Sequence, residues 1–359
     1  MQEQDILLRL QDEWSKDIFL ARLNYYKNGE MTELCRSLNA THRKYAGNPG
    51  LRDVFDYKND SDDGKLAGKK TIIYGAGDGG FLASFTLLMW NQEVECVCDA
   101  DPNKRQHGGM FGHSVISPET LIEKYRDSVI IIAMLYKNVL DKVYDYLISF
   151  GINRENIYCL YHPCEAQYFG SSFMIPRENE VYVDAGAFDG DSCRAFLKWC
   201  DKNYKKIYLL EPDKPRFKLI SDEFSSNERI QCVEAGAYDT TGTVSFSTGD
   251  TGSSLIIGDG DDVIKTIEID NLVATDDCVT LLKMDIEGAE LKALKGSAQI
   301  IKRDKPRLAI CVYHKAEDII EIPQYILSLV PEYRFYLRHH KLINASRRPQ
   351  FETVLYALV

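Results

Sequence analysis

Polar residues and glycines recur at the C-terminal ends of four predicted strands in the second half of the chain. Asp184 and two glycines follow the first strand, and Glu211 follows the second. Small residues follow the third strand, and Asp285 and Glu287 follow the fourth. Ligands of open α/β sheets bind beyond the carboxyl ends of the strands, so these residues are predicted to surround one ligand.

The expected ligand is a nucleoside that also carries an amino-acid group. Gly186 and Gly190 would let the backbone approach it, and the next helix N-terminus favours a carboxylate, with Asp184 near an ammonium. Glu211 offers two acceptor oxygens to a ribose diol, although Glu-Pro-Asp also suits the start of a helix. Small residues after the third strand suit a flat adenine. The predicted binding set is Asp184, Gly186, Ala187, Phe188, Gly190, Glu211, Pro212, Ala235, Gly236, Ala237 and Asp285.

These motifs resemble the FkbM family of S-adenosylmethionine-dependent methyltransferases over about half of the chain. The most specific part is Asp285-Ile-Glu-Gly-Ala-Glu, preceded by Lys283-Met. The resemblance implies S-adenosylmethionine as cofactor, bound by Asp184, Gly186, Glu211 and Asp285. It also implies methylation, usually at oxygen, of a sugar, a glycan or a small natural product. The other matching motifs are Asp184-Ala-Gly-Ala with Gly190, Glu211-Pro, Ala235-Gly-Ala, Ile269-Asp-Asn-Leu and Leu294-Lys-Gly.

Methyl transfer to a hydroxyl needs an aligned acceptor and a base that removes its proton. The candidate bases are His314, Asp285 and Glu287; a histidine titrates near neutrality, but His314 could equally be structural. It stands after the fifth strand, where the FkbM family often has an acidic residue. Asp285 and Glu287 could instead bind a divalent metal, but two carboxylates fall short of a full ligand set, so no metal is predicted. The loop 249–254 is expected to be a lid over the acceptor or a flexible hairpin tip.

A second glycine loop lies in the first half of the chain. Gly75, Gly77 and Gly80 match G-x-G-x-x-G after a strand, and Asp99 ends the next strand. The pattern predicts a nucleotide or nucleotide-sugar site with Asp99 on a ribose, or a unit that docks or orients substrate. We favour the second interpretation because a single βαβαβ half lacks the second cradle of a dinucleotide site.

Two alternative functions use this loop. The first is an NAD-dependent oxidoreductase, although the Tyr-x-x-x-Lys pair of many such enzymes is absent nearby. The second is a non-catalytic sensor in which both α/β units bind ligands. Binding of S-adenosylmethionine without turnover would favour the sensor.

Composition limits the partners and the compartment. The net charge of -11, with acidic residues concentrated in residues 250–285, disfavours nucleic acid. No apolar run approaches the ~18 to 20 residues of a membrane span, and the N-terminus is polar, so a cytoplasmic protein is expected. The ten cysteines lack metal-site spacing and are predicted to be reduced and to pack as small hydrophobes. The sequence leaves open whether the protein forms a homodimer.

The elements that position these residues predict an α/β protein in three parts. Residues 1–65 form a helical segment that ends in a polar linker at 58–64, residues 66–165 a small Rossmann-like domain, and residues 172–359 a class I methyltransferase sheet of seven strands. The strands of the small domain are expected near 71–74, 94–99, 129–134 and 157–160. In the larger domain, five parallel strands are expected at 181–185, 207–210, 230–234, 279–284 and 307–313. An antiparallel pair follows at 333–338 and 353–357. The helices between or after these five strands are expected near 191–201, 215–224, 289–302 and 318–329.

Overall fold

The computed structural model describes residues 3–45, 51–105, 110, 112–134, 137–160, 167–248, 255–257, 262–340 and 351–359. The chain divides into two compact units. The larger unit comprises residues 1–37, 165–339 and 350–359, and the smaller unit comprises residues 38–164 and 340–349. The predicted helical segment 1–65 is therefore not a part of its own, because its residues are shared between the two units.

The first two helices pack on the larger unit. The Asp12 side chain accepts the Ser15 N–H at 2.7 Å and caps the second helix, which ends where Gly29 adopts a left-handed φ of 71°. The Ser15 hydroxyl in turn accepts the Leu337 N–H at 2.9 Å, which attaches the helix to a strand near the C-terminus. The N-terminal helices are α1 (Glu3–Arg9), α2 (Glu13–Asn28) and α3 (Met31–Tyr45).

The smaller unit contains a six-stranded parallel sheet in the order β1-β6-β5-β2-β3-β4. All four predicted strands are present. The edge strands β1 and β4 were not predicted, since two residues are too few to show a hydrophobic period. The predicted linker is wrong for residues 58–62, which lie in α4. The elements are β1 (Arg52–Asp53), α4 (Val54–Asp62), β2 (Thr71–Tyr74), α5 (Asp78–Met89), β3 (Cys96–Cys98), α6 (Pro102–Arg105), β4 (Val115–Ile116), α7 (Pro118–Lys124), β5 (Val129–Ile132), α8 (Lys137–Ser149) and β6 (Ile157–Cys159).

The larger unit is built on a seven-stranded sheet in the order β16-β17-β15-β14-β7-β8-β9. Every residue of the central strand β7 is buried, as expected of a strand covered on both faces. The chain runs outward from β7 in one direction and from β14 in the other, so the strand order reverses between them. Such a reversal opens a crevice at the carboxyl ends of the strands. The first elements of this unit are β7 (Glu180–Ala185), α9 (Asp191–Trp199), β8 (Tyr204–Leu210), α10 (Lys214–Phe224) and β9 (Ile230–Val233).

The remaining elements complete the sheet. Strand β17 pairs antiparallel with both β15 and β16, as the short loop predicts. These elements are α11 (Ile269–Leu272), β14 (Leu281–Met284), α12 (Glu290–Lys295), α13 (Ala298–Asp304), β15 (Arg307–Cys311), α14 (Asp318–Leu329), β16 (Arg334–His339) and β17 (Thr353–Leu358). No helix in the described ranges combines the length and apolar character needed to cross a membrane.

A second, smaller sheet lies between β9 and β14 in the chain, where the sequence analysis assigned no strands. Its order is β10-β13-β11-β12. The residues of β11 alternate Val244 and Phe246 with small polar residues, the period of a strand with one exposed face. The strands are β10 (Gly236–Ala237), β11 (Gly242–Thr248), β12 (Leu255–Ile257) and β13 (Asp262–Ile267).

The helix predicted at residues 289–302 is two helices, α12 and α13, separated at Gly296. A Cβ atom at Gly296 would lie 1.9 Å from the carbonyl oxygen of Tyr238. The chain therefore passes this carbonyl at a distance that only glycine permits. Helical periodicity continues across the break, so the sequence pattern did not reveal it.

We expect Gly296→Ala to lower the free energy of unfolding by about 1 to 3 kcal/mol, because the added methyl group overlaps backbone that cannot move aside. Gly242→Ala is the matched control, since a Cβ there meets nothing within 4 Å and the backbone is not left-handed. That control should be neutral or more stable by about 0.4 to 1 kcal/mol. Urea unfolding followed by tryptophan fluorescence measures both, and equal effects would contradict the close approach.

Candidate active site

A cavity lies beyond the carboxyl ends of β7, β8 and β14, beside the second sheet. Eight of the residues predicted from sequence line it: Gly186, Phe188, Glu211, Pro212, Gly236, Ala237, Asp285 and Glu287.

Hydrogen bonds join the loops that line the cavity. The Gly186 and Ala187 N–H groups both donate to the Leu210 carbonyl, at 3.1 and 3.0 Å. The Phe188 N–H donates to a Glu211 carboxylate oxygen at 2.9 Å, which links the loop after β7 to the residue after β8. The Asp285 N–H donates to the Ala185 carbonyl at 3.1 Å. The three strand ends therefore meet in one crevice.

Glu211 is almost fully buried at the wall of the cavity. Burial raises the pKa of its carboxyl above the usual value, while N–H donation from Asp213 and Phe188 opposes that rise. The two donors approach different oxygens, each at 2.9 Å. A carboxylate oxygen accepts about two hydrogen bonds, so each oxygen keeps capacity for a hydroxyl group in the cavity.

The glycines of the loop after β7 have a different purpose from the predicted one. Gly186 has a φ of 86°, and a Cβ there would lie 2.0 Å from the Asp285 carbonyl oxygen. Gly190 also has a φ of 86°, and a Cβ there would meet Phe224 at 3.1 Å. Both glycines are required by left-handed backbone and by contact with protein rather than by approach to a ligand. Ala187, Gly190 and Ala235 do not line the cavity.

Asp184 lies beneath the cavity, not in its wall, which corrects its predicted position beside a ligand ammonium. Its side chain is fully buried, with the Lys283 Nζ atom 2.9 Å from Oδ1. The Ser192 hydroxyl donates to Oδ2 at 2.5 Å. Asp184 therefore already has a cation as its partner.

Lys283 was quoted in the sequence motif but was given no role, and the structure gives it one. Burial would lower its pKa, but the charge of Asp184 outweighs burial and raises the pKa above the usual value. Its ammonium also donates to the Gly186 carbonyl at 2.6 Å and lies 5.3 Å from the Tyr168 ring centroid. A lysine inside the otherwise apolar buried strand β14 was the signal that could have identified it.

Asp285 accepts hydrogen bonds from two buried tyrosines. The Tyr313 hydroxyl donates to Oδ1 and the Tyr168 hydroxyl to Oδ2, each at 2.8 Å. Burial would raise the pKa of Asp285, but Lys283, the nearby histidine and these hydrogen bonds together lower it. Asp285 is therefore a stable anion and a weak proton acceptor, which disfavours the predicted role as a base. Nothing in the sequence indicated Tyr168.

His314 lies behind Asp285 and is surrounded by carboxylates. Its Nδ1 atom is 2.9 Å from Glu290 Oε1, and its Nε2 atom is 3.6 Å from Asp285 Oδ1 and 3.4 Å from Glu287 Oε2. Burial would lower the pKa of His314, but these carboxylates outweigh it and raise the pKa to about 9. An imidazolium at neutral pH cannot accept a proton, so this environment does not suit the predicted base. Asp285 and Glu287 both line the cavity, and Glu287 is the candidate base that remains.

Four further lining residues were not predicted: Arg216, Ile264, Ile286 and Ala289. Arg216 on α10 places its guanidinium carbon 4.2 Å from the Phe188 ring centroid, and both residues line the cavity. Ile264 reaches the cavity from β13, a strand that the sequence analysis had missed. The loop 249–254, predicted to be a lid or a hairpin tip, lies outside the described residues.

The glycine loop of the smaller unit is held by its own contacts. A Cβ at Gly80 would lie 1.8 Å from the Gly75 carbonyl oxygen, so this glycine is needed for packing within the loop. Asp99 accepts the Ala76 N–H at 2.7 Å and has the Lys104 ammonium 3.2 Å away. Both contacts go to the Oδ2 atom, and the ribose-binding role of Asp99 stays a prediction. A Cβ at Gly77 would approach the same ammonium at 3.4 Å.

Part of the larger unit is similar to a known family. Residues 184–340 match the family model described as the methyltransferase FkbM domain. No curated protein matches the chain.

Solved structures of methyltransferases are similar to this chain. Methyltransferase FkbM from Methylobacillus flagellatus KT is 20% identical, with 96% of this chain and 99% of that chain covered and a TM-score of 0.49. A putative rRNA-methylase from Clostridium thermocellum is 11% identical, with coverages of 51% and 88% and a TM-score of 0.32. A putative methyltransferase from Streptococcus mutans in complex with SAH is 16% identical, with coverages of 51% and 92% and a TM-score of 0.31. These comparisons do not support the oxidoreductase alternative.

We expect Lys283→Met to lower the free energy of unfolding by about 3 to 5 kcal/mol, because it leaves the Asp184 carboxylate buried without a cation. Adding Asp184→Asn to the same chain should recover part of that loss, since the unpaired charge is then removed. Lys218→Met removes one partner of an exposed ion pair with Asp222 and should cost less than about 1 kcal/mol. Urea unfolding compares the three variants. A double variant as unstable as Lys283→Met would show that the ion pair does not set the cost.

Proposed function

We propose, from the match of residues 184–340 to the methyltransferase FkbM domain, that the protein transfers a methyl group from S-adenosylmethionine to a hydroxyl group of a sugar, a glycan or a small natural product. The observation that carries the proposal is the cavity where the ends of β7, β8 and β14 meet.

The topology of the larger unit supports this proposal. The sheet has five parallel strands followed by an antiparallel terminal pair, in the order β16-β17-β15-β14-β7-β8-β9. This is the arrangement of class I methyltransferase sheets. The cavity lies where the strand order reverses, which is where open α/β sheets bind nucleotides.

The residues present fit S-adenosylmethionine. Glu211 has free acceptor capacity on both carboxylate oxygens, which suits the two hydroxyls of a ribose. Gly236, Ala237 and Ile264 form a wall without charge that suits an adenine ring. The anion Asp285 also lines the cavity, where it would stabilise a positively charged sulfonium.

When bound, S-adenosylmethionine supplies an electrophilic methyl group on a positively charged sulfur. The chain's contribution is to hold the acceptor in line with that group and to exclude water, and alignment of this kind accounts for much of the rate of a bimolecular displacement. Asp285 keeps a fixed orientation through its two tyrosine donors. Glu287 lies at the cavity wall with its side chain 35% exposed, so it is the carboxylate best placed to accept the hydroxyl proton.

We expect Glu211→Gln to weaken S-adenosylmethionine binding by about 1 to 3 kcal/mol, or roughly five- to 150-fold in Kd, because an amide has one acceptor oxygen in place of two. Isothermal titration calorimetry with the cofactor and with its demethylated product measures the change. Asp222→Asn on α10 is the control, since that carboxylate is exposed and paired with Lys218. Equal affinity in Glu211→Gln and wild type would remove Glu211 from the binding site.

The reaction itself is tested with radiolabelled methyl donor and a panel of mono- and oligosaccharides. We expect label in an alkali-stable ether on the acceptor, identified by mass spectrometry. Tight cofactor binding with no transfer to any hydroxyl acceptor would favour a sensor, and transfer to an amine would refute O-methylation.

A further inference from the structure

We propose that Asp285, Glu290 and His314 form a binding site for a divalent cation at the edge of the cavity, with Glu287 as a further ligand. The cation site deepens the proposed function. The role of the cation toward the acceptor rests on that function, but the binding of the cation does not.

The three residues come from two neighbouring strand ends and are already clustered. Asp285 follows β14, His314 follows β15, and Glu290 begins α12. One ligand atom from each of the three lies within 4.8 Å of the others. Metal–ligand bonds of about 2.0 to 2.5 Å hold ligand atoms up to roughly 4 to 5 Å apart, so little rearrangement is needed.

Buried polar atoms in this cluster point to a missing ligand. The His314 side chain is only 6% exposed, yet neither ring nitrogen has a hydrogen-bond partner among the described residues. Glu290 is fully buried, and its Oε2 atom likewise has no such partner in those ranges. The contact between the Nδ1 atom and Oε1 of Glu290 at 2.9 Å is a close ion-pair contact without the alignment of a hydrogen bond. Buried polar groups are rarely left without a hydrogen-bond partner unless a water molecule or an ion binds them.

The charge of the cluster favours a cation. Asp285, Glu287 and Glu290 bring three carboxylates within 3.6 Å of a single imidazole. One imidazolium balances only one of these three charges. A divalent cation that takes the place of the imidazole proton would balance two of the three charges and leave the ring neutral, as metal ligation requires.

The surroundings already orient the proposed ligands. Tyr168 and Tyr313 each donate to one oxygen of Asp285, and the Ile286 N–H donates to Glu290 Oε1 at 2.9 Å. Hydrogen bonds of this kind hold ligating carboxylates in most metal sites. Oxygen ligands with one imidazole suit Mn²⁺ and Mg²⁺, and Mn²⁺ is the more tolerant of nitrogen.

The position explains how an acceptor hydroxyl could be activated where His314 cannot act as base. Asp285 and Glu287 line the cavity, so a cation between them would be reached by an acceptor oxygen from the cavity side. Coordination lowers the pKa of the hydroxyl. Its proton then leaves to Glu287 or solvent as the oxygen–methyl bond forms and the sulfur–methyl bond breaks, which leaves a neutral thioether.

The test is Mn²⁺ binding to the full-length chain after treatment with a chelator, in the absence of S-adenosylmethionine. We expect one site by isothermal titration calorimetry and by loss of the free Mn²⁺ electron paramagnetic resonance signal. Glu290→Gln and His314→Gln should each weaken binding at least tenfold. Glu321→Gln on α14, an exposed carboxylate outside the cluster, is the control and should leave binding unchanged. Circular dichroism melting confirms that each variant is folded.

Absence of Mn²⁺ binding at millimolar concentration in the folded wild type would overturn the proposal. Equal binding by wild type and both cluster variants would also overturn it, because the ion would then lie elsewhere. Since the titration contains no methyl donor or acceptor, a failure of the proposed function would not alter its result. If cofactor binding fails while Mn²⁺ binding depends on Glu290, the function is wrong and the cation site stands.

Discussion

The buried ion pair between Lys283 and Asp184 is the interaction on which the cavity depends. It links β14 to β7 at the point where the strand order reverses, and the same ammonium holds the Gly186 carbonyl. Taking two charges out of water is costly, and the Ser192 hydroxyl and the Gly186 carbonyl each contribute a hydrogen bond that offsets part of this cost. The Lys283 ammonium therefore positions the loop after β7 without the need for a bound ligand.

Above that pair, the strand ends carry a second group of charged side chains, which includes Asp285 and His314. Tyrosine hydroxyls and cationic neighbours lower the pKa of Asp285, while carboxylates raise the pKa of His314. Each residue type alone would suggest general base catalysis. Their mutual proximity cancels that capacity, because each stabilises the charged form of the other. The environment thus changes what these side chains can do, although their identities are those that catalysis commonly uses.

The sequence predicts most of the larger sheet and the residues at its strand ends, because hydrophobic runs and the glycines between them are local signals. It does not predict β10 to β13, whose strands are short and partly polar, or the break at Gly296, which exists because Tyr238 approaches from elsewhere in the chain. It also does not show that left-handed backbone and close contact with the Asp285 carbonyl require Gly186. Asp184 and His314 were misjudged because burial and partners such as Lys283 and Glu290 depend on tertiary contacts that spacing alone does not contain.

The placement of β17 between β15 and β16 has a consequence for synthesis on the ribosome. The interior of the sheet cannot close until residues 353–358 have been translated, although α2, which packs on β16, is made among the first. At about 5 to 20 residues per second, the apolar face of α2 would wait roughly 15 to 60 s for its partner strand. The smaller unit, which lies almost wholly within residues 38–164, can complete its sheet during that interval. The order of translation therefore separates the folding of the two units in time, and the nascent larger unit is the one exposed to chaperones.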